Sequence, residues 1–422
     1  MTSSWDTIII GAGPAGSTAA ALLAERGRRV LVLEKERFPR YHVGESLMPY
    51  CWYTFDRLGI LPELDAMAFT KKHSVQFVTP DGRQSAPFYF FQHTDHPSST
   101  TWQVERADFD MLLLDNARRK GAEVWEESPV KRVIKDDGGR VIGVQGVDVD
   151  GRTFEVFAPV VIDCSGREQV ATARDGWRVR DPELNKLAIW TYFKKAKRDP
   201  GIDEGNTTVA YVEDRGWFWY IPLRGDIVSV GIVAEKDYLF GETKDLGEIF
   251  KREVGRNVWI KEHLAQGEQF GPHYVTSEFS YRSRWCAGDG LVLAGDAFAF
   301  LDPVFSSGVF LALKTGELAA DAVDAALTAG DTSAAQFESY GEQVCGAIEN
   351  MRKLVYAFYD TNFSFARMLK QYPEQRGQLV DCLIGDLFEQ KYGELFRRVA
   401  EFAPLPRELQ HGRVGERALV AA

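Results

Sequence analysis

The chain has 422 residues, with 61 Asp and Glu against 50 Lys and Arg and a net charge of −11. That balance opposes the counterion-releasing contacts on which nucleic-acid binders depend. The length exceeds the roughly 250–300 residues that one hydrophobic core fills, so two lobes are expected. No apolar run of about 18 residues occurs, and the chain enters its first strand without a basic leader, which predicts a cytoplasmic protein with no membrane span.

The cysteines (Cys51, Cys164, Cys286, Cys345, Cys382) are scattered, odd in number and never in a CxxC pair, as expected of reduced thiols. His93 and His96 have only Asp95 near them in sequence, so no metal site is expected.

The opening "WDTIIIGAGPAGSTAAALLAERGRRVLVLEKE" predicts an apolar strand, a turn at Gly11-x-Gly13-x-x-Gly16, an Ala- and Leu-rich helix to Arg26 and a second strand, Val30 to Leu33. The first glycine permits the tight turn, the second lets backbone approach a pyrophosphate, and the third lets the helix pack on the strand. The helix N-terminus then offers unsatisfied N–H groups to phosphate. Glu34 follows the second strand, where a ribose hydroxyl needs an acceptor, so the dinucleotide is expected to be FAD or NAD rather than NADP. Ala15 and Lys35 fall within the same cofactor-binding segment.

Further along, "VERADFDMLLLDNARRKGAEVW" predicts a helix from Arg106 to Lys120, closed by Gly121 and followed by a strand. "VKRVIKDDGGRVIGVQGVDVDGRTFEV" alternates as hairpin strands around Asp-Gly turns, and "APVVIDCSG" reads as a buried strand that rejoins the first sheet. Between Asn185 and Asp237 come short β segments, "KLAIWTYF", "NTTVAYV", "GWFWYIPL" and "DIVSVGIV", expected to form a separate antiparallel sheet. "GDGLVLAGDAFAFLDPVFSSGVFLALKTGELAADAVDAAL" returns to a strand, Leu291 to Ala294, and a helix from Ser307 to Leu327; from Thr332 onward the pattern is helical.

The expected fold class is α/β: a Rossmann-like dinucleotide-binding domain split between both ends of the chain, as FAD is long enough to require, with an inserted antiparallel β-sheet substrate lobe and a C-terminal helical region. The boundaries read as 1–70, 101–184 and 276–330 for the discontinuous FAD-binding domain, 71–100 and 185–275 for the β-rich substrate lobe, and 331–422 for the helical region.

Three stretches, GxGxxG with Glu34, "DCSG" ending a strand, and "LVLAGDAFAFLDP", together resemble the FAD-binding segments of glutathione-reductase-like flavoproteins related to p-hydroxybenzoate hydroxylase. Within that group, "FPRYHVGESLMP", "QVERADFDMLL", "GWFWYIP" and "DPVFSSGVFLA" resemble the flavin-dependent halogenases, in particular the branch acting on phenolic or carrier-tethered substrates.

The resemblance implies a cofactor, FAD, supplied as FADH2 by a separate flavin reductase, since no second GxGxxG is present for a nicotinamide. It also implies that chloride or bromide is oxidised to hypohalous acid, which halogenates an electron-rich aromatic, a phenol or pyrrole, free or on a carrier protein. Gly295 and Asp296 would lie along the ribityl and pyrophosphate region. Pro303, Ser307 and Gly308 would sit where the long helix opens its amides, with Ser307 and Gly308 flanking the halide or, alternatively, a flavin carbonyl. Arg40, Glu45 and Ser46 would run beside the isoalloxazine. Arg106 would touch the flavin or its phosphates, or else pair with Asp108 or Asp110.

Trp217, Trp219, Ile221 and Pro222 match the family signature and would form a partition between flavin and substrate; a packed inner sheet is the alternative. Aligning Phe69 with the family's Gly-Phe-x-x-Lys-x-Gly pattern gives Lys72 the role of holding the oxidised halogen, although Ala68 and Ser74 replace both glycines and His73 intrudes. A solvated Lys-Lys loop is the other reading of that pair. A monooxygenase or prenyl-type reductase of the same fold, and a non-catalytic flavin-binding partner in a biosynthetic complex, are the competing functions.

Overall fold

Thr7–Ile10 stands inside a parallel sheet, paired in register with Val160–Asp163 on one side (Thr7 opposite Val160) and Val30–Leu33 on the other (Thr7 opposite Val30). A computed structural model describes residues 5–181, 183–213, 216–277, 280–388 and 392–408. The sheet order is Ala287–Gly288, Leu291–Leu293, Val160–Asp163, Thr7–Ile10, Val30–Leu33, Glu123–Trp125, with only the first strand antiparallel. The central strands are continuous apolar runs, TIII, VVID and VLVL, because both faces of a parallel sheet are covered.

The helix Pro14–Glu25 starts with proline, preset for its first turn. Its neighbour Ser307–Ala329 crosses so closely that a Cβ on Gly316 would lie 2.3 Å from the Ala15 carbonyl oxygen. The helix Arg106–Arg119 carries Asp108 in its first turn and Arg118 and Arg119 in its last, matching its dipole. Val130–Lys135, Val141–Val147 and Thr153–Phe157 form the expected meander.

A second, seven-stranded sheet has the order Glu268–Ser277, Lys186–Lys194, Ile227–Glu235, Gly216–Pro222, Thr207–Val212, Ser74–Val78, Phe88–Tyr89. It departs from the expected all-antiparallel pattern at one pair: Thr207–Val212 runs parallel to Ser74–Val78. That pair joins segments some 130 residues apart, a distance over which strand alternation carries no direction. Gly216–Pro222 is central, and Pro222 closes it opposite Val228.

The strand alternates between two cores. Trp217, Trp219 and Ile221 enter the core shared with the first sheet, while Phe218 and Tyr220 enter a core covered by the helices Leu246–Val254 and Val258–His263. Those helices fall in the stretch after Asp237, to which the reading of a β-rich lobe assigns no element. Their signals were N-caps: Asp245 accepts from the Glu248 N–H and Asn257 from the Ile260 N–H. The helices Glu338–Tyr359, Phe365–Gln371, Arg376–Ile384 and Gly393–Val399 follow in the C-terminal part. Residues 389–391 and 409–422 of the expected helical region lie outside the described residues.

Candidate active site

The glycine turn is held open by contact. Gly11 has φ +95°, and a Cβ on Gly16 would lie 2.0 Å from the Gly11 carbonyl oxygen. Glu34 is buried beside the turn, its carboxylate accepting from the Ala12 N–H at 2.7 Å and the Glu36 N–H at 2.9 Å. A carboxylate has about four acceptor sites, so capacity remains for a ribose diol. Arg40 lies over Gly13, its Nη2 3.5 Å from where a Cβ would stand, and it also pairs with Asp110 at 3.1 Å. Lys35 is half exposed and paired with Glu168 at the rim.

On the other side of the first helix, Gly295 abuts Ala15, whose Cβ is 3.2 Å from a Cβ built on Gly295. Burial pushes the Asp296 carboxyl up to about 6, against the pull of Arg167 and Arg106. These features fit an adenine dinucleotide with a ribityl chain: a cradle closed to any side chain at Gly16, open at Gly13, with a carboxylate at each end and a guanidinium above.

Arg106 resolves one alternative. Its Nε and Nη2 donate to the Asp110 carboxylate at 2.7 and 2.9 Å, and its Nη1 donates to the Val43 carbonyl at 2.8 Å. Asp108 pairs instead with Arg224. The guanidinium thus ties the helix to the loop carrying Gly44, Glu45 and Ser46.

The loop into the long helix turns at Ser306, a non-glycine residue in the left-handed region with φ 56°, a conformation that clusters at functional sites. The helix Ser307–Ala329 has no side-chain cap and no acidic residue in its first turn. Its first N–H groups are left for another acceptor. Gly308 opens onto free space, with no atom within 4 Å of a built Cβ, whereas Ser307 is buried. Pro303 begins the short turn Pro303–Phe305. Just before it, burial pushes Asp302 up to about 6, where it accepts from Tyr359 Oη at 2.8 Å.

Lys72 is not on a solvated loop. It is 2% exposed, on the two-stranded ribbon of Thr70–Lys72 with Thr101–Gln103, and its Nζ donates to Ser46 Oγ at 2.9 Å and the Leu47 carbonyl at 3.1 Å. Ser46 Oγ in turn meets Thr207 Oγ1 at 2.8 Å, to which Gln103 Nε2 donates. With no carboxylate partner, burial pushes the Lys72 ammonium down to about 7. Lys71, its neighbour, takes the surface role and pairs with Asp65.

Lys72 lines a small cavity of about 60 Å³ whose other walls include Phe88, Phe90, Thr207, Leu383 and the loop residues Val304 to Ser306. Trp217 and Trp219 are not on that wall. Trp217 donates from Nε1 to Tyr359 Oη at 2.8 Å, hence to Asp302, and packs on Phe358, which packs on Phe305. Trp219 donates to Ser229 Oγ at 3.1 Å and packs on Trp190. Trp217 therefore stands behind Phe358 and the cavity wall, with Trp219 beside it and Ile221 on the same face of the strand.

Sequence reasoning missed Tyr192, Tyr359, Phe305 and Thr207. Tyr192 and Thr207 sit in strands where alternation signals only burial, and Asp302 stands before a proline with no local signal of its bond to Tyr359. Among the described residues no group of three or more His, Cys, Asp or Glu could hold a metal, and no helix is long and apolar enough to cross a membrane.

A glycine turn between strand and helix, an acidic residue after the second strand and a Gly-Asp segment returning from far down the chain define an FAD-dependent oxidoreductase. The chain belongs to the flavin-dependent halogenases: the family described as tryptophan halogenase matches residues 6–98 and 90–382. It is 30% identical to the 1H-pyrrole-2-carbonyl-[peptidyl-carrier protein] chlorinase of Pseudomonas fluorescens, over 98% of this chain and 97% of that one. The corresponding brominase of Pseudoalteromonas luteoviolacea is 32% identical over 92% of this chain and 93% of its own. The solved structure of the flavin-dependent brominase Bmp2 superposes with a TM-score of 0.85 at 31% identity, covering 94% of this chain and 98% of that one.

Proposed function

We propose that this halogenase oxidises chloride or bromide at the start of the helix Ser307–Ala329 and delivers hypohalous acid to Lys72, which directs it onto a pyrrole or phenol ring. The observation that carries the reading is the Lys72 cavity, a buried, carboxylate-free ammonium facing the Val304–Ser306 loop that leads into the uncapped helix. The full-length likeness to two halogenases of carrier-bound pyrrole favours a substrate held on a carrier protein. The absence of a second glycine fingerprint in the sequence favours a separate flavin reductase.

Gly11, Gly13, Ala15, Gly16 and Arg40 would hold the pyrophosphate, Glu34 the ribose, with Lys35 at its rim, and Gly295 and Asp296 the ribityl chain. Glu45, Ser46, Arg106, Pro303 and Gly308 would border the ring system. When bound, reduced FAD supplies two electrons to dioxygen, the halide supplying the other two. Ser307 and Gly308 present backbone N–H groups to the halide, which desolvate it without the tight pairing a lysine or arginine would impose.

Titrating near 7, Lys72 holds the hypohalous oxygen as an ammonium or accepts the halogen as an amine, fixing it over one ring carbon. The cavity has room for about two waters, so Phe88, Phe90, Phe305 or Leu383 must shift to admit a ring. Trp217, Trp219, Ile221 and Pro222 would serve as the partition that keeps the organic substrate from the oxidation site. The domain division proposed is the interleaved one: a discontinuous FAD-binding domain, a β-rich substrate lobe and a C-terminal helical region.

The test is aerobic turnover with reduced FAD and a panel of phenols and pyrroles, free and carrier-bound, with chloride or bromide, read by the isotope pattern of the product. Lys72→Ala is expected to abolish halogenation while flavin oxidation continues. A halogenated product at the wild-type rate from that variant overturns the assignment.

A further inference from the structure

We infer that Tyr41, Tyr192 and Glu45 form a relay that carries one solvent proton per turnover to the halide-oxidation site; the inference rests on the function proposed above. Forming hypohalous acid consumes that proton. Dioxygen takes two electrons from reduced flavin and two from halide; one oxygen leaves in the hypohalous acid and the other as water. The three hydrogens in those products are the two carried by reduced flavin and one from solvent.

The geometry supplies a directed line. Trp190 Nε1–H, a donor only, donates to Tyr41 Oη at 2.7 Å. Tyr192 O–H donates to Glu45 Oε1 at 2.6 Å. The 2.9 Å contact between the two tyrosine hydroxyls therefore runs from Tyr41 to Tyr192, since the Tyr192 proton is already committed. The outer end is open, Tyr41 being 48% exposed and stacked on Tyr274, while Glu45 at the inner end is 3% exposed. Glu45 Oε2 is buried with no hydrogen-bond partner in the structure. A buried carboxylate oxygen left without a hydrogen bond is costly.

Glu45 is also in the right place. Its neighbour Gly44 lies against the long helix, a built Cβ coming 3.1 Å from Arg106 Nη1 and 3.8 Å from Val309 Cγ2, in the helix's first turn. Its other neighbour, Ser46, receives Lys72. The charged and titratable groups facing it are Tyr192 from Lys186–Lys194, Arg106 and Glu105 at the start of the Arg106 helix, and Tyr41 from its own loop, with the Ser229 hydroxyl acting on the same carboxyl. Burial outweighs Tyr192, Ser229 and Arg106 and pushes Glu45 up to about 7, so it both gives and takes a proton at neutral pH. Burial also pushes Tyr41 up to about 12 and Tyr192 higher, so neither hydroxyl stands as a tyrosinate. Each cycle breaks the Glu45 O–H bond as its proton goes to the oxygen leaving as water. Tyr192 then reprotonates Glu45, Tyr41 reprotonates Tyr192, and water reprotonates Tyr41.

Glu45→Gln keeps an acceptor for Tyr192 but no transferable proton, and Tyr192→Phe cuts the line while preserving the ring. Infrared difference titration of the flavin-free protein is expected to show a carboxyl stretch that titrates near neutrality, is missing in Glu45→Gln and shifts in Tyr192→Phe. With FAD bound as in wild type, Glu45→Gln is expected to lower halide oxidation by about 10²-fold or more. Tyr192→Phe is expected to flatten the pH–rate profile and change the solvent deuterium isotope effect. Wild-type rates and isotope effect in both variants, or a Glu45 carboxyl ionised throughout the neutral range, overturn the relay. A wild-type enzyme that oxidises no halide overturns instead the function on which it rests, and the infrared band separates the two failures.

Discussion

Replacing Lys72 with methionine should stabilise the protein while removing its halogenation, and the gain should depend on pH in a defined way. Burial takes Lys72 from its ordinary 10.5 to about 7, so holding the ammonium inside costs the fold about 5 kcal/mol well below pH 7 and about 4 kcal/mol at pH 7. Between pH 7 and 10.5 the unfolded chain binds more protons at this lysine than the folded one, so wild-type stability rises with pH across that window. By pH 9 the cost has fallen to about 2 kcal/mol.

Methionine removes the term altogether. Against it stand the donors lost to Ser46 Oγ and the Leu47 carbonyl, about 1–3 kcal/mol that does not vary with pH. Nearby Cys51 does not intrude, because burial holds its thiol at about 12. Chemical unfolding of wild type and Lys72→Met, compared at pH 7 and pH 9, should show the variant's advantage shrinking by about 2 kcal/mol. An advantage that stays constant with pH would refute the claim that Lys72 is desolvated and without a countercharge.

Three other outcomes follow from contacts of the same kind. Gly16→Ala, whose Cβ would meet the Gly11 carbonyl oxygen at 2.0 Å, should cost both fold and flavin, whereas Gly13→Ala, which meets only Arg40 Nη2 at 3.5 Å, should keep the wild-type melting transition and lose FAD in a flavin-retention assay. Gly308→Ala adds a methyl group where a built Cβ meets nothing, so it should fold normally and raise the KM for halide with little change for the aromatic substrate in steady-state kinetics. Tyr359→Phe removes the hydroxyl joining Trp217 Nε1 to Asp302; leaving both buried partners short of a bond should lower unfolding free energy by about 1–3 kcal/mol, measurable in denaturant.

Much of the framework was legible in the chain. A glycine turn between an apolar strand and an alanine-rich helix, an acidic residue at the next strand's end, and proline or serine at helix starts are local signals, because turn conformation and strand or helix period are set by residues a few positions apart. Strand period alone puts Trp217, Trp219 and Ile221 on one face. It could not say what that face meets. Only the packed structure sets Trp217 behind Phe358 and Phe305 rather than on the cavity, joins Lys72 to Ser46, and brings Tyr192 to Glu45 from 147 positions away. It also chose Asp110 over Asp108 for Arg106 and turned one strand pair parallel. Such meetings depend on register and on which surfaces two distant elements share, and neither quantity is written in any short stretch of sequence.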